Sequence, residues 1–112
     1  MHVKSDTKEK FHVITVEDAA LPASMTDKLE DCFLPYLKND VKNLVVILRN
    51  TAEIDAAVAE KLVEVQQKFY EAGASFVICE LQKQVEEYLD RQELLEIMNV
   101  TPTESEAWDI VQ

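Results

Sequence analysis

Apolar positions come along this chain in short blocks, and the spacing inside each block separates strand from helix. Phe11-His12-Val13-Ile14-Thr15-Val16 is rich in β-branched and aromatic residues and predicts a strand within 10–17. A partner strand is expected at 1–3, across a polar turn made by Ser5-Asp6-Thr7-Lys8. After a loop containing Pro22, Ser24-Met25-Thr26-Asp27 has the form of a helix start, with a hydroxyl cap and an acid three residues on. Leu29, Cys32, Phe33 and Tyr36 continue at helical spacing. Pro35 removes a backbone donor and clashes one turn back, so this helix is expected to kink or end near it.

Leu44-Val45-Val46-Ile47-Leu48 is a continuous apolar run, short and β-branched, which suits a central strand covered on both faces. The next segment is the clearest helix. Val58, Leu62, Val65, Phe69 and Ala72 form one stripe, and charged and amide side chains fill the rest. Gly73, the only glycine in the chain, stands where that helix must stop. The strand Phe76-Val77-Ile78-Cys79 follows at once, and this order implies a crossover between parallel strands. A helix over 82–89 puts Val85 and Leu89 on one side, and 94–98 is expected to be a last short strand. Thr103-Glu104-Ser105-Glu106 forms a second capping box, opening a helix with Ala107, Trp108, Ile110 and Val111. No repeat, low-complexity tract or linker interrupts the chain.

Composition narrows the class. The 112 residues suit one domain, 1–112, and the 47% hydrophobic content argues against disorder. No apolar run approaches the roughly 20 residues of a membrane span, and the N-terminus lacks a secretory apolar stretch, so a cytoplasmic protein without membrane insertion is expected. The net charge of −11 repels phosphate backbones and anionic lipid surfaces, and no Lys/Arg-rich block offsets it. Nucleic acid is therefore not an expected partner.

Chemistry is sparse. A single glycine rules out a P-loop and a dinucleotide fingerprint, which need several for backbone to approach phosphates closely. No GxSxG, HExxH or EF-hand pattern is present. Cys32 and Cys79 lie far apart with no histidine near either, and read as small buried apolar residues. His2 and His12 both fall in the N-terminal strand region. Carboxylate pairs such as Glu86-Glu87 and Glu30-Asp31 read as solvated helix faces. No catalytic residue, metal site or cofactor is expected, and the chain is not expected to be an enzyme. One place stands out. The 44–48 strand runs into a loop holding Asn50, Thr51, Glu53 and Asp55, past the carboxyl end of a parallel strand, where open α/β sheets place ligands and partners. Asp55 is also positioned to cap the helix it precedes.

The order strand, loop, Ile54-Asp55, helix, Gly73, strand, and a helix carrying Val85 and Leu89 resembles the STAS domain, the fold of bacterial anti-anti-sigma factors. Gly73 to Cys79 is similar to that family's glycine leading into a strand, and Thr103-Glu104-Ser105-Glu106-Ala107 to its Ser/Thr-x-x-Glu-Ala entry to the last helix. The resemblance covers nearly the whole chain. It implies an α/β fold with a mixed, mostly parallel sheet of four to five strands flanked by about four helices. It also implies a protein-binding surface of Asn50, Thr51, Glu53, Asp55, Ala56 and Ala57. The departures concern regulation. Where the family has Ile-Asp-Ser-Ser-Gly-Leu, this chain has Ile54-Asp55-Ala56-Ala57-Val58-Ala59. The serine that a kinase phosphorylates in that family is matched by Ala56, so that switch cannot run through this position. Thr51 is the nearest hydroxyl that could substitute. Val58 in place of glycine excludes a left-handed requirement there, and the helix is expected to begin at Ala56 or Ala57.

The resemblance thus implies a bacterial signalling or sigma-factor-regulating module that binds a protein, such as an anti-sigma kinase or another signalling protein. Two alternatives stay open: a nucleotide- or lipid-binding STAS-like subunit of a transport assembly, and a homodimer formed through an exposed edge strand near the N-terminus.

Overall fold

The computed structural model describes residues 1–111. A five-stranded sheet carries the fold. It is built from β1 (Val3–Thr7), β2 (His12–Val16), β4 (Leu44–Ile47), β6 (Phe76–Cys79) and β7 (Val100–Thr101), in the order β1-β2-β4-β6-β7. β1 is antiparallel to β2, and every other pairing is parallel. The three parallel crossovers contain α1 (Thr26–Phe33), α2 (Ala56–Glu71) and α3 (Lys83–Arg91), and α4 (Glu104–Val111) follows β7. A separate two-residue pair, β3 (Ala20–Leu21) with β5 (Glu53–Ile54), also runs parallel.

The central strands are apolar throughout because both sides of the sheet are covered. Leu44 and Val46 of β4 and Phe76 and Ile78 of β6 face α1, α2 and α3, meeting Leu29, Phe33, Val58, Leu62, Val65, Phe69, Val85 and Leu89. Val45, Ile47, Val77 and Cys79 point the opposite way, against Ala107 and Val111 of α4. Alternation at period two therefore survives within what reads as a continuous hydrophobic run. Each large side chain buried in this way contributes about 1.5–3 kcal/mol relative to leaving it exposed. No helix among the described residues is long and apolar enough to cross a membrane.

Several local expectations need correction. Ser5, Asp6 and Thr7 belong to β1, and the reversal is made by the residues after them, closed by a bond from Lys8 N–H to Phe11 O (2.8 Å). β1 is an edge strand, so polar side chains cost it little, and an apolar signal was never needed. The expected cap at Ser24 does not form. A 3₁₀ turn at Ala23–Met25 leads into α1, which has no side-chain cap. Ala72 leaves the apolar stripe and is exposed at the end of α2. Residues 94–98 are not a strand: Leu95–Ile97 form a 3₁₀ turn, and the β-branched pair Val100-Thr101 joins the sheet instead. Pro35 acts as anticipated. α1 ends at Phe33 and the chain continues as a 3₁₀ turn, Leu34–Lys38.

Candidate functional site

The loops at the carboxyl ends of β2, β4 and β6 meet on one rim. The loop between β4 and α2 is held from several directions. Ala52 N–H and Glu53 N–H both donate to Ala19 O (2.8 and 3.2 Å), and Asp55 N–H donates to Leu21 O (3.0 Å). These bonds continue the β3–β5 pairing and tie the segment after β2 to the approach to α2. Arg49 secures the other side. Its guanidinium donates to both carboxylate oxygens of Glu80 (3.2 and 3.0 Å) and lies 3.7 Å from Glu104. A planar fork on a carboxylate fixes direction as well as distance. Gln82 donates to Arg49 O (2.9 Å), so the loop after β6 also braces the loop after β4. Glu80 holds φ at +58°, a left-handed conformation that costs a residue with a Cβ about 1–2 kcal/mol.

Asp55 is the N-cap of α2. Its backbone is extended (φ −77°, ψ 151°), its carboxylate accepts from Ala57 N–H at 2.8 Å, and its carbonyl accepts from Ala59 N–H at 3.0 Å. The helix begins at Ala56, as the good helix formers there suggested, and Val58 points inward with no exposure. Asn50, Glu53 and Asp55 are exposed, while Ala56 and Ala57 are half-exposed at the first turn. These five residues lie in the loop before α2 and on its first turn.

Thr51, in the same loop, is 0% exposed, and its hydroxyl donates to Asp18 O at 2.8 Å. It is an internal strut of the loop rather than a contact or phosphoacceptor on the rim, and a kinase would first have to extract it.

Two shallow depressions, of 280 and 340 Å³, flank Glu53 and Ile54. One is walled by Ala20, Leu21 and Pro22, the other by Gln84, Tyr88 and Arg91. The residues after β2 and on α3 went unnoticed in the sequence because no motif marks them; they reach the rim only through the parallel pairing. Among the described residues, no group of three His, Cys, Asp or Glu is placed to hold a metal ion. The rim offers small side chains, carboxylates and open shallow relief.

The sequence pattern of the STAS domain matches residues 3–107. No curated protein matches the sequence. Among solved structures, a putative anti-sigma factor antagonist from Thermotoga maritima superposes with a TM-score of 0.80 at 18% identity, covering 97% of this chain and 93% of that one. An anti-sigma factor antagonist from Mycobacterium paratuberculosis gives 0.82 at 14% identity, covering 98% and 92%. A chain of the stressosome, described as a signal integration and transduction hub, gives 0.70 at 17% identity, covering 96% and 95%.

Proposed function

This chain belongs to the STAS domain family, and from that premise we propose that it is a non-enzymatic protein-binding module of the anti-anti-sigma type, working in the bacterial cytoplasm. Its partner docks on the rim made by Asn50, Glu53, Asp55, Ala56 and Ala57, and no phosphate on residue 56 can dismiss it. The observation that carries this reading is the first turn of α2. Ala56 and Ala57 stand half-exposed there, with Asp55 and Glu53 exposed beside them. Side chains this small let a partner backbone or helix approach closely, and the carboxylates favour a partner with a basic patch.

Phosphate-bearing ligands find less to hold them. Arg49 is engaged by Glu80 and Glu104, which leaves Arg91, beside Glu53, among the cations of the rim. The same engagement makes Arg49 a brace for the loop rather than a contact.

Ala56→Glu tests the proposal cleanly because it separates docking from folding. Residue 56 is the first residue of α2, and the first turn of that helix contains no acid of its own. A carboxylate there interacts favourably with the helix dipole, so the fold is expected to be as stable as before or slightly more so. A partner recovered from bacterial extract with the tagged wild-type chain is then titrated against both forms. The variant is expected to bind about tenfold or more weakly, the scale of one misplaced charge at a packed contact, with an unchanged melting temperature. Equal affinity would show that the turn is only a helix start.

A further inference from the structure

We propose that two copies of this chain pair through β1, antiparallel and in a single register centred on Ser5, to form one sheet continuous across a weak homodimer. This is independent of the docking rim on α2. β1 is one outer strand of the sheet and β7 is the other. β7 has two residues, too short to template a partner, whereas β1 offers five.

The backbone pattern dictates which groups of β1 are free. β1 and β2 pair in a constant register, Val3 with Val16 through Thr7 with His12. Beyond its ends, Glu17 N–H donates to His2 O and Lys8 N–H to Phe11 O, both at 2.8 Å. Hydrogen-bonded pairs alternate along an antiparallel ladder, so the even-numbered residues, including Lys4 and Asp6, turn their backbone groups toward β2. Val3, Ser5 and Thr7 turn theirs outward, where no strand among the described residues meets them.

An incoming antiparallel copy must match outward groups with outward groups, so odd residues pair with odd residues. Three registers satisfy this with appreciable overlap. One sets Lys4 against Lys4 of the second copy. Another sets Asp6 against Asp6. The third sets Ser5 on the two-fold axis, Val3 opposite Thr7, and Lys4 opposite Asp6 twice over. Opposed residues in such a pair that do not exchange backbone bonds bring their Cβ atoms to about 4.5–5.5 Å, close enough for like charges to repel and opposite charges to attract. Both side chains are available for this: that of Lys4 is 78% exposed and that of Asp6 is 64% exposed. Within one copy they lean on Glu17 (3.8 Å) and Lys8 (2.8 Å), on the surface and free to share. Charges on an edge strand usually guard it against pairing; here they reject foreign strands and wrong registers while admitting a second copy of the same strand.

Sedimentation velocity over a concentration series, with circular dichroism to follow folding, tests the pairing. The wild type is expected to move from monomer toward dimer as concentration rises. K4E alone and D6K alone each set like charges against each other twice and should weaken association about tenfold. K4E with D6K reverses both charges and should restore it. Ser5→Pro should abolish association while leaving the β1–β2 ladder intact, because Ser5 N–H faces away from β2 and proline is tolerated on an outer strand. A wild type that stays monomeric throughout, a double variant as weak as its singles, or a folded S5P chain that still dimerises would each overturn the proposal. Should S5P fail to fold, the charge reversal decides alone.

Discussion

Asp55 does two things at one position: it satisfies a free N–H at the start of α2 through its carboxylate, and it stands exposed on the rim. The first role has a defined cost of removal. Asp55→Ala is expected to destabilise the chain by about 1 kcal/mol, which for a domain near this size lowers the melting temperature by about 4–8 °C, and Asp55→Ser should recover most of it. Calorimetry on the three forms checks this. The cap was legible in the sequence because it is local, an acid immediately before a run of helix formers. Thr51, four residues earlier, was not. Its hydroxyl is bound to the carbonyl of a residue 33 positions away, and nothing in the pattern around Thr51 distinguishes a buried strut from a surface hydroxyl. Ala56 illustrates the middle case: the sequence identified what it lacks, while its half-exposure needed the helix to be placed.

Elements with strong periodicity were readable, and those that owe their existence to a distant partner were not. α2, β4 and β6 follow from apolar spacing alone, and the chain's only glycine, Gly73, marks where α2 has stopped. That glycine holds φ at +73°, and a Cβ added to it would meet nothing within 4 Å. The cost of Gly73→Ala is therefore conformational rather than steric: about 1 kcal/mol, with Gly73→Asn less damaging because asparagine enters the left-handed region more readily. Urea unfolding of both variants gives the comparison, and a neutral G73A would show that the turn relaxes to another conformation. The β3–β5 pair carries no comparable signal. Two residues after β2 and two before α2 pair only because the crossover sets them side by side. The misplaced last strand has a similar origin. Leu94, Leu95 and Met98 are apolar because they pack on the main cluster, a demand met as well by a 3₁₀ turn as by a strand.

The molecule as a whole is layered unevenly. Three helices cover one side of the sheet, and α4, eight residues long, covers the other. Cys79 lies in that second, thinner layer with no exposure, and burial pushes its thiol up to about 12. Since the thiolate is the reactive form, Cys79 is expected to resist alkylation at neutral pH in the folded chain and to react on unfolding. Cys32 is only half-buried and should react first. Mass spectrometry of a timed iodoacetamide reaction distinguishes the two. Equal rates would mean that the α4 layer opens far more often than its packing implies.

That thin layer also holds the only tryptophan. Trp108 lies on α4, 5.7 Å from the ring of Phe11, with its indole nitrogen buried and without a hydrogen-bond partner among the described residues. Its intrinsic fluorescence therefore watches one side of the sheet and is blind to the other. If the two layers melt together, emission and ellipticity will trace the same curve. If they do not, emission will change first, and the chain will have disclosed a stable intermediate in which the three-helix side stands alone.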